Sequence, residues 1–299
     1  MLIFHIVDVF AEREYSGNQL AVFRNAGELS TEKMQAIARE MNFSETTFII
    51  TSREKEEQAN SSFDVRIFTP NSEIPFAGHP TLGTAYVIQR FILKAKVSSV
   101  VLKLKVGPIS VTPTYDASGN IETMWMAQNE PAFGGKEFEA KEISKVLSLD
   151  ESDINPRYPI QEVSTGLPFI VAPLKGLDSL RKCRLGSKEY FDLVRRTEAK
   201  CFLAFSTEPY VKGHDLSVRV FVQYYGPIED PATGSGNGCL AAYLSKYKIL
   251  GASRLSATVD QGYEIGRPST LYLRTDPGGG KMNISVGGRV RSVASGEWE

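Results

Sequence analysis

The sequence has little cysteine, with only three thiols in 299 residues. Cys183, Cys201 and Cys239 lie far apart and form no CxxC pair, which argues against a disulfide framework and against a structural zinc site. The three histidines show no HExxH or other ligand spacing, so the sequence gives no support to metal chemistry. This cysteine usage favours a reducing compartment, and we expect a cytoplasmic protein.

Long hydrophobic runs and an excess of charge are also missing. No apolar run approaches the roughly 20 residues that a membrane-spanning helix needs. The first residues lack the basic region and small-residue cleavage site of a signal peptide and have the pattern of a strand. With a formal net charge of −1, electrostatics gives no reason to expect nucleic acid or an anionic membrane as partner. These observations predict a soluble globular protein and disfavour nucleic acid and membranes as partners.

Two short segments share one arrangement, in which an apolar strand and a turn lead to Gly plus a polar residue that starts a helix. They are residues 76–80 (FAGHP) and 232–236 (ATGSG), which we call the first and second glycine segments. The start of a helix leaves several backbone N–H groups without partners and carries about half a positive charge, so it can hold a carboxylate or an oxyanion. Two such segments, about half a chain apart, predict a duplicated domain with an anion site between its halves.

Other segments recur in the same order, with a shift of about 150 residues found by matching the motifs to one another. Residues 165–171 match residues 16–22, residues 201–205 match residues 46–50, and residues 219–221 match residues 66–68. The most turn-like stretch near the middle is residues 117–120 (ASGN). We therefore predict one half over residues 1–118 and a second over residues 119–299, with the C-terminal strands belonging mainly to the second half.

Glu45 is the sharpest candidate for chemistry. It lies at a predicted helix-to-strand corner among apolar and hydroxyl-bearing neighbours, residues 43–48 (FSETTF). Partial burial there would raise the pKa of Glu45 and let it both take and return a proton near neutral pH. The alternative interpretation is an acid on a surface corner.

Three further polar residues have both a structural and a functional interpretation. His79 could donate a hydrogen bond to substrate from the helix start, or could serve as a structural cap. Asp230 precedes the second glycine segment and, taken alone, fits an Asx-turn before Pro231. Ser235 can be a helix cap, a substrate hydrogen-bonding group, or both.

Several familiar motifs fail when tested against the second glycine segment. Residues 234–238 (GSGNG) are neither a GxGxxG dinucleotide motif nor a P-loop, because no Lys followed by Ser or Thr comes next. Ser235 lacks the GxSxG setting of an α/β-hydrolase nucleophile. The remaining expectation is acid/base chemistry without a cofactor.

Combined motifs carry a resemblance to a known family: residues 17–22 (GNQLAV), 42–46 (NFSET), 66–70 (RIFTP), 73–80 (EIPFAGHP) and 229–238 (EDPATGSGNG). The chain resembles the PhzF-like isomerases of phenazine biosynthesis and, more distantly, diaminopimelate epimerase. The likeness runs from the first strand to the C-terminal residues.

This resemblance implies an α+β fold of two similar halves, each a curled, mostly antiparallel sheet around a central helix, with the active site in the cleft between them. It implies that Glu45 is the proton shuttle and that Asp230 assists proton transfer. The residues implied to position the substrate and its carboxylate are Asn18, Ser44, Gly78, His79, Gly234 and Ser235.

In the epimerase, one cysteine from each half faces the substrate. The matching positions here are Ala77 and Thr233, so racemisation by two thiols cannot operate. Cys239 lies about one and a half helical turns beyond Thr233 and cannot simply replace the missing thiol.

The leading hypothesis is a cofactor-independent isomerase that moves a proton between carbons of a small carboxylated metabolite. The resemblance also implies pairing into homodimers. Two alternatives stay open. One is a non-catalytic metabolite-binding or regulatory protein that keeps the cleft. The other is a racemase or epimerase, which would need a second base.

Overall fold

The computed structural model describes residues 1–50 and 61–299. In this part of the chain, the elements up to residue 127 are β1 Leu2–Val9, β2 Asn18–Arg24, α1 Thr31–Met41, β3 Thr46–Ile49, β4 Ser62–Phe68, β5 Glu73–Ile74, α2 Gly78–Val87, a π-helix Ile88–Leu93, β6 Val100–Leu104, β7 Gly107–Tyr115 and β8 Ile121–Ala127.

From residue 128 the elements are β9 Ala132–Phe138, α3 Ala140–Val146, a 3₁₀ turn Glu151–Asp153, β10 Ile160–Ser164, β11 Pro168–Pro173, α4 Leu177–Lys182, α5 Ser187–Val194, β12 Cys201–Ser206, β13 Leu216–Phe221, β14 Glu229–Asp230, α6 Gly234–Tyr247, β15 Leu255–Gln261, a 3₁₀ turn Tyr263–Ile265, β16 Ser269–Gly278, β17 Lys281–Gly288 and β18 Val290–Trp298. None of the described helices is both long and apolar enough to cross a membrane.

The chain divides into two compact units that differ from the predicted halves. Unit 1 comprises Met1–Ala127 with Gly287–Glu299, and unit 2 comprises Gln128–Val286. A boundary after residue 118 would cut the hairpin in which β7 pairs antiparallel with β8. The C-terminal strand also lies elsewhere than predicted, because β18 pairs antiparallel with β1 along its length.

Strand pairing in unit 1 follows a definite order. β1 pairs antiparallel with β2, and β2 runs parallel to β3. β3 then pairs antiparallel with β4, which pairs antiparallel with β5 and parallel with β6.

Unit 2 repeats this order strand for strand. β10 pairs antiparallel with β11, and β11 runs parallel to β12. β12 pairs antiparallel with β13, which pairs antiparallel with β14 and parallel with β15. The repeated pairings confirm the predicted α+β fold of two similar, mostly antiparallel sheets.

A matching ion pair marks the same place in both sheets. Arg66 donates from Nε and Nη2 to the two carboxylate oxygens of Glu73, both at 2.8 Å. Arg219 makes the equivalent fork to Glu229, at 3.0 and 2.6 Å. The pair fixes the short strand that leads into the glycine segment of its unit, and the Arg66 hydrogen bonds lower the pKa of Glu73 to about 2.

The central helix of each unit begins inside the glycine segment of that unit, at Gly78 in α2 and at Gly234 in α6. All ten residues of α2 are buried, and its sequence GHPTLGTAYV carries no charged face that could meet water. α6 is buried over most of its length, from Gly234 to Ser245. Amphipathic helices cover the outer faces: α1 buries Met34, Ile37 and Ala38 against its sheet. The side chain of Ser30 caps α1 by accepting a hydrogen bond from the Lys33 backbone N–H.

Candidate active site

Glu45 lies at the corner between α1 and β3, as the sequence predicts. The helix stops because Asn42 takes the left-handed conformation, with φ of 52°, and its N–H bonds back to Ala38. The chain then turns into β3, whose first residue Thr46 pairs with Ala21 of β2. The side chain of Glu45 is 16% exposed, so it is largely shielded from solvent.

His79 meets Glu45 from the central helix of the same unit. It is the second residue of α2, and its Nε2 lies 3.4 Å from Glu45 Oε2. On the other side of the ring, His79 Nδ1 lies 3.2 Å from the side-chain nitrogen of Asn18. Ser44 Oγ in turn donates to Asn18 Oδ1 at 3.4 Å. Unit 1 therefore brings together four of the predicted site residues in one continuous set of contacts, with Gly78 next in the chain.

Burial keeps the His79 imidazole neutral. Its side chain is 6% exposed, and desolvation lowers the pKa of His79 to about 3, against a weaker opposing effect of the Gln19 backbone. A neutral imidazole offers one N–H donor and one acceptor, and adds no positive charge beside Glu45. The contact between His79 and Glu45 is thus dipolar.

The start of α2 is built to leave amides open. The residue before the helix is Ala77, which has extended backbone and no side chain able to cap the first turn. The first-turn N–H groups of a helix have no partner within the helix itself. They face a position where a negative charge is stabilised by the helix dipole.

Unit 2 holds the other predicted residues around the start of α6. Gly234 is the first residue of the helix and is buried, and Ser235 follows it, half-buried, at the place that His79 has in α2. Asp230 lies in β14, and its carboxylate oxygen Oδ2 accepts a hydrogen bond of 2.5 Å from the Thr233 hydroxyl. The union of these residues with those of unit 1 in one cleft stays a prediction.

Comparison with known proteins shows which family the chain belongs to. The family model described as phenazine biosynthesis-like protein matches residues 7–296. The trans-2,3-dihydro-3-hydroxyanthranilate isomerase of Pseudomonas aeruginosa is 30% identical over 298 residues, covering 97% of each chain. The chain belongs to the PhzF family of isomerases.

Solved structures give the same fold. A PhzF-family phenazine biosynthesis protein of Bacillus anthracis superposes with a TM-score of 0.87 at 27% identity, covering 100% of this chain and 99% of the other. A probable proline racemase of Agrobacterium radiobacter, with a TM-score of 0.61 at 12% identity over 100% and 93% of the chains, shares the fold alone. The predicted diaminopimelate epimerase-like fold is confirmed.

No cysteine of this PhzF-family chain lies directly before either central helix. Ala77 and Thr233 occupy the positions directly before α2 and α6, as predicted. Cys239 is buried within α6, where its Sγ lies 3.6 Å from the Leu167 carbonyl oxygen, and burial raises the pKa of its thiol to about 11. Among residues 1–50 and 61–299, no group of three or more His, Cys, Asp or Glu is placed to hold a metal ion.

Strand register corrects one detail of the predicted duplication. Phe68 pairs with both Thr46 and Glu73, while Phe221 pairs with Phe202 and Glu229. Thr46 is therefore equivalent to Phe202, one position later than the sequence match suggested. The residue of unit 2 that corresponds to Glu45 is Cys201, which is fully buried and whose pKa burial raises to about 12.

Sequence reasoning missed Gln261, which makes four hydrogen bonds around Thr233 and Asp230. A single glutamine at the end of a strand belongs to no motif and has no characteristic spacing. The duplication offers the one signal for Gln261. Its equivalent position in unit 1 holds the apolar residue Leu104, so the polar side chain of Gln261 departs from the repeat.

Proposed function

We propose that this isomerase moves a proton between two carbons of a small, cyclic, carboxylated metabolite related to trans-2,3-dihydro-3-hydroxyanthranilate. The names of the Pseudomonas relatives support this substrate class. The observation that carries the proposal is the contact of Glu45 with a neutral, buried His79 at the uncapped start of α2.

Glu45 acts as both base and acid in this scheme. As a carboxylate it takes a proton from one ring carbon, and the electron pair of that C–H bond passes into the adjacent conjugated system. The same carboxyl group then returns the proton to another carbon, and a double bond moves between the two positions. Atoms and electrons balance without a redox partner, because the product is an isomer of the substrate.

The surrounding groups stabilise the anionic intermediate. Neutral His79 offers a hydrogen bond to an oxygen of the substrate, and the Gly78 end of α2 supplies amide donors for its carboxylate. Asn18 and Ser44 hold the imidazole in place. We extend the proposal to Gly234 and Ser235 as carboxylate-binding groups and to Asp230 as an assistant in proton transfer, which the family match supports.

The test is solvent-deuterium incorporation during turnover of trans-2,3-dihydro-3-hydroxyanthranilate in D2O, followed by proton NMR. Glu45→Gln is expected to lower incorporation by about 10²–10⁴-fold, the usual contribution of a general acid/base. Binding of the same compound, measured by calorimetry, is expected to stay within a few-fold. Glu40→Gln, which removes an exposed carboxylate from α1, is the matched control and should exchange like the wild type.

Other outcomes lead to other assignments. Unchanged exchange in Glu45→Gln would remove Glu45 from the mechanism. Tight binding without exchange in the wild type would favour the metabolite-binding alternative. Deuterium at a carbon that keeps its substituents but inverts its configuration would instead indicate racemisation or epimerisation.

A further inference from the structure

A saturated hydrogen-bond network in unit 2 links a buried glutamine to Asp230. Gln261 is the last residue of β15 and is fully buried. Its Nε2 donates to the Asp230 backbone oxygen at 2.8 Å and to Thr233 Oγ1 at 3.0 Å. Its Oε1 accepts from the Thr233 backbone N–H at 3.3 Å and from Asn237 Nδ2 at 2.9 Å. Two donors and two acceptors are in use, as many as a carboxamide offers.

The orientation of this carboxamide follows from its backbone partners. The Asp230 carbonyl can only accept, so it must face the NH2 group. The Thr233 backbone N–H can only donate, so it must face the oxygen. A flipped amide would set like groups against each other on both sides. Gln261 Nε2 is therefore the donor that faces the Thr233 hydroxyl.

The Thr233 hydroxyl has two partners, one on each side, and the orientation of Gln261 decides which of them receives the hydroxyl proton. Because it accepts from Gln261, its single O–H is free to point to Asp230 Oδ2, 2.5 Å away. Thr233 also directly precedes α6, yet its side chain makes no capping hydrogen bond to that helix. A threonine at this position usually caps the helix, whereas the Thr233 hydroxyl bonds to the Asp230 carboxylate.

The fold does not need this network. The register places Ile74 of unit 1 where unit 2 has Asp230, and Leu104 where it has Gln261. Ala77 precedes α2 just as Thr233 precedes α6. Unit 1 thus builds the same turn from strand to central helix with three apolar residues. The polar residues Asp230, Thr233 and Gln261 are therefore particular to unit 2. Their side-chain hydrogen bonds lead from Gln261 through Thr233 to the Asp230 carboxylate.

We propose that Gln261 and Thr233 are positioning residues that hold the Asp230 carboxylate in a single orientation for the isomerase reaction. Gln261 orients the Thr233 hydroxyl, and this hydroxyl donates to the carboxylate. The inference rests on the proposed function, in which Asp230 assists proton transfer. In this role Gln261 and Thr233 act through Asp230.

The test compares Gln261→Met with Gln161→Met, a matched control. Gln161 is another buried glutamine of unit 2 and bonds to Gly134, Lys246 and Tyr247, away from Asp230. With trans-2,3-dihydro-3-hydroxyanthranilate as probe, Gln261→Met is expected to lower kcat by about 10- to 100-fold, the effect of weakening a hydrogen bond to a charged group. KM should change little, and the acidic limb of the pH profile of kcat/KM should move to higher pH. Gln161→Met should keep the wild-type kcat and profile.

The Thr233 variants separate the hydroxyl from packing. Thr233→Val is expected to match the loss in Gln261→Met, and Thr233→Ser, which keeps the hydroxyl, should recover most of it. Equal losses in Gln261→Met and Gln161→Met, or equal activity of the valine and serine variants, would overturn the inference.

Crystal structures of the two glutamine variants decide the matter even where the probe is not turned over. The expected result is a displaced Asp230 carboxylate in Gln261→Met and an unmoved one in Gln161→Met. An unmoved carboxylate in Gln261→Met would refute the positioning role whatever the activity. Failure of the proposed function is distinguishable, because it would appear in Glu45→Gln while Asp230 still shifts in Gln261→Met.

Discussion

Replacing His5 by leucine is expected to make the protein less sensitive to acid. His5 lies in β1, is 4% exposed, and stacks on Phe91 with ring centroids 4.3 Å apart. Neither ring nitrogen has a hydrogen-bond partner among the residues that the structure describes. Burial, and secondarily the charge of Arg24, lowers the pKa of His5 from 6.5 to about 4.

The sign and size of the effect follow from proton linkage. Because the folded-state pKa lies below 6.5, the unfolded chain binds the proton more readily. The stability that His5 contributes is thus fully present above pH 6.5 and is lost as the pH falls towards 4. For these two pKa values the loss is about 2 kcal/mol at pH 5 and about 3 kcal/mol at pH 4. His79, whose pKa is lowered to about 3, adds a similar loss in the same range.

The assay is urea denaturation at about pH 7.5 and pH 5, for the wild type and for His5→Leu. We expect the variant to lose about 2 kcal/mol less than the wild type between these two conditions. Phe4→Leu, an apolar change at the neighbouring position of β1, is the control, and should lower stability equally at both pH values. Equal pH-dependent losses in His5→Leu and wild type would refute the reasoning.

Two further predictions concern stability. Arg219→Met leaves the Glu229 carboxylate buried without its partner and is expected to cost about 3–5 kcal/mol in the free energy of unfolding, whereas Arg66→Met, at the more exposed equivalent position, should cost about 1 kcal/mol. Chemical denaturation of both variants checks this, and equal costs would contradict it. Gly83→Ala is expected to cost about 1–3 kcal/mol, because a β-carbon there would lie 2.6 Å from a Leu20 methyl carbon in the core of unit 1. Thermal unfolding of this variant, compared with Gly135→Ala, where the space is open, measures the cost of crowding at Gly83.

The duplicated fold was predictable because its signals are local. Each glycine segment follows a strand and opens an apolar helix, and the same turn chemistry occurs twice in the same order. The corner at Glu45 is likewise set by neighbouring residues, and the structure places it as expected.

The features that escaped prediction depend on contacts between distant parts of the chain. Alternating apolar residues identify β18 as a strand but do not say that its partner is β1. The one-residue offset that makes Cys201 the equivalent of Glu45 is set by strand register, which residue types alone do not fix. The role of Gln261 could not be predicted, because its hydrogen bonds join the end of β15 to residues about 30 positions away at the start of α6.

The pairing of β18 with β1 has a consequence for biosynthesis. Unit 2 is continuous in sequence, whereas the sheet of unit 1 includes residues 287–299. A ribosome therefore finishes every strand of unit 2 before it makes the strand that covers β1. Until then β1 has an open edge of unpaired backbone groups, the kind of surface on which nascent chains associate wrongly. A strand made after unit 2 therefore protects a strand made before it.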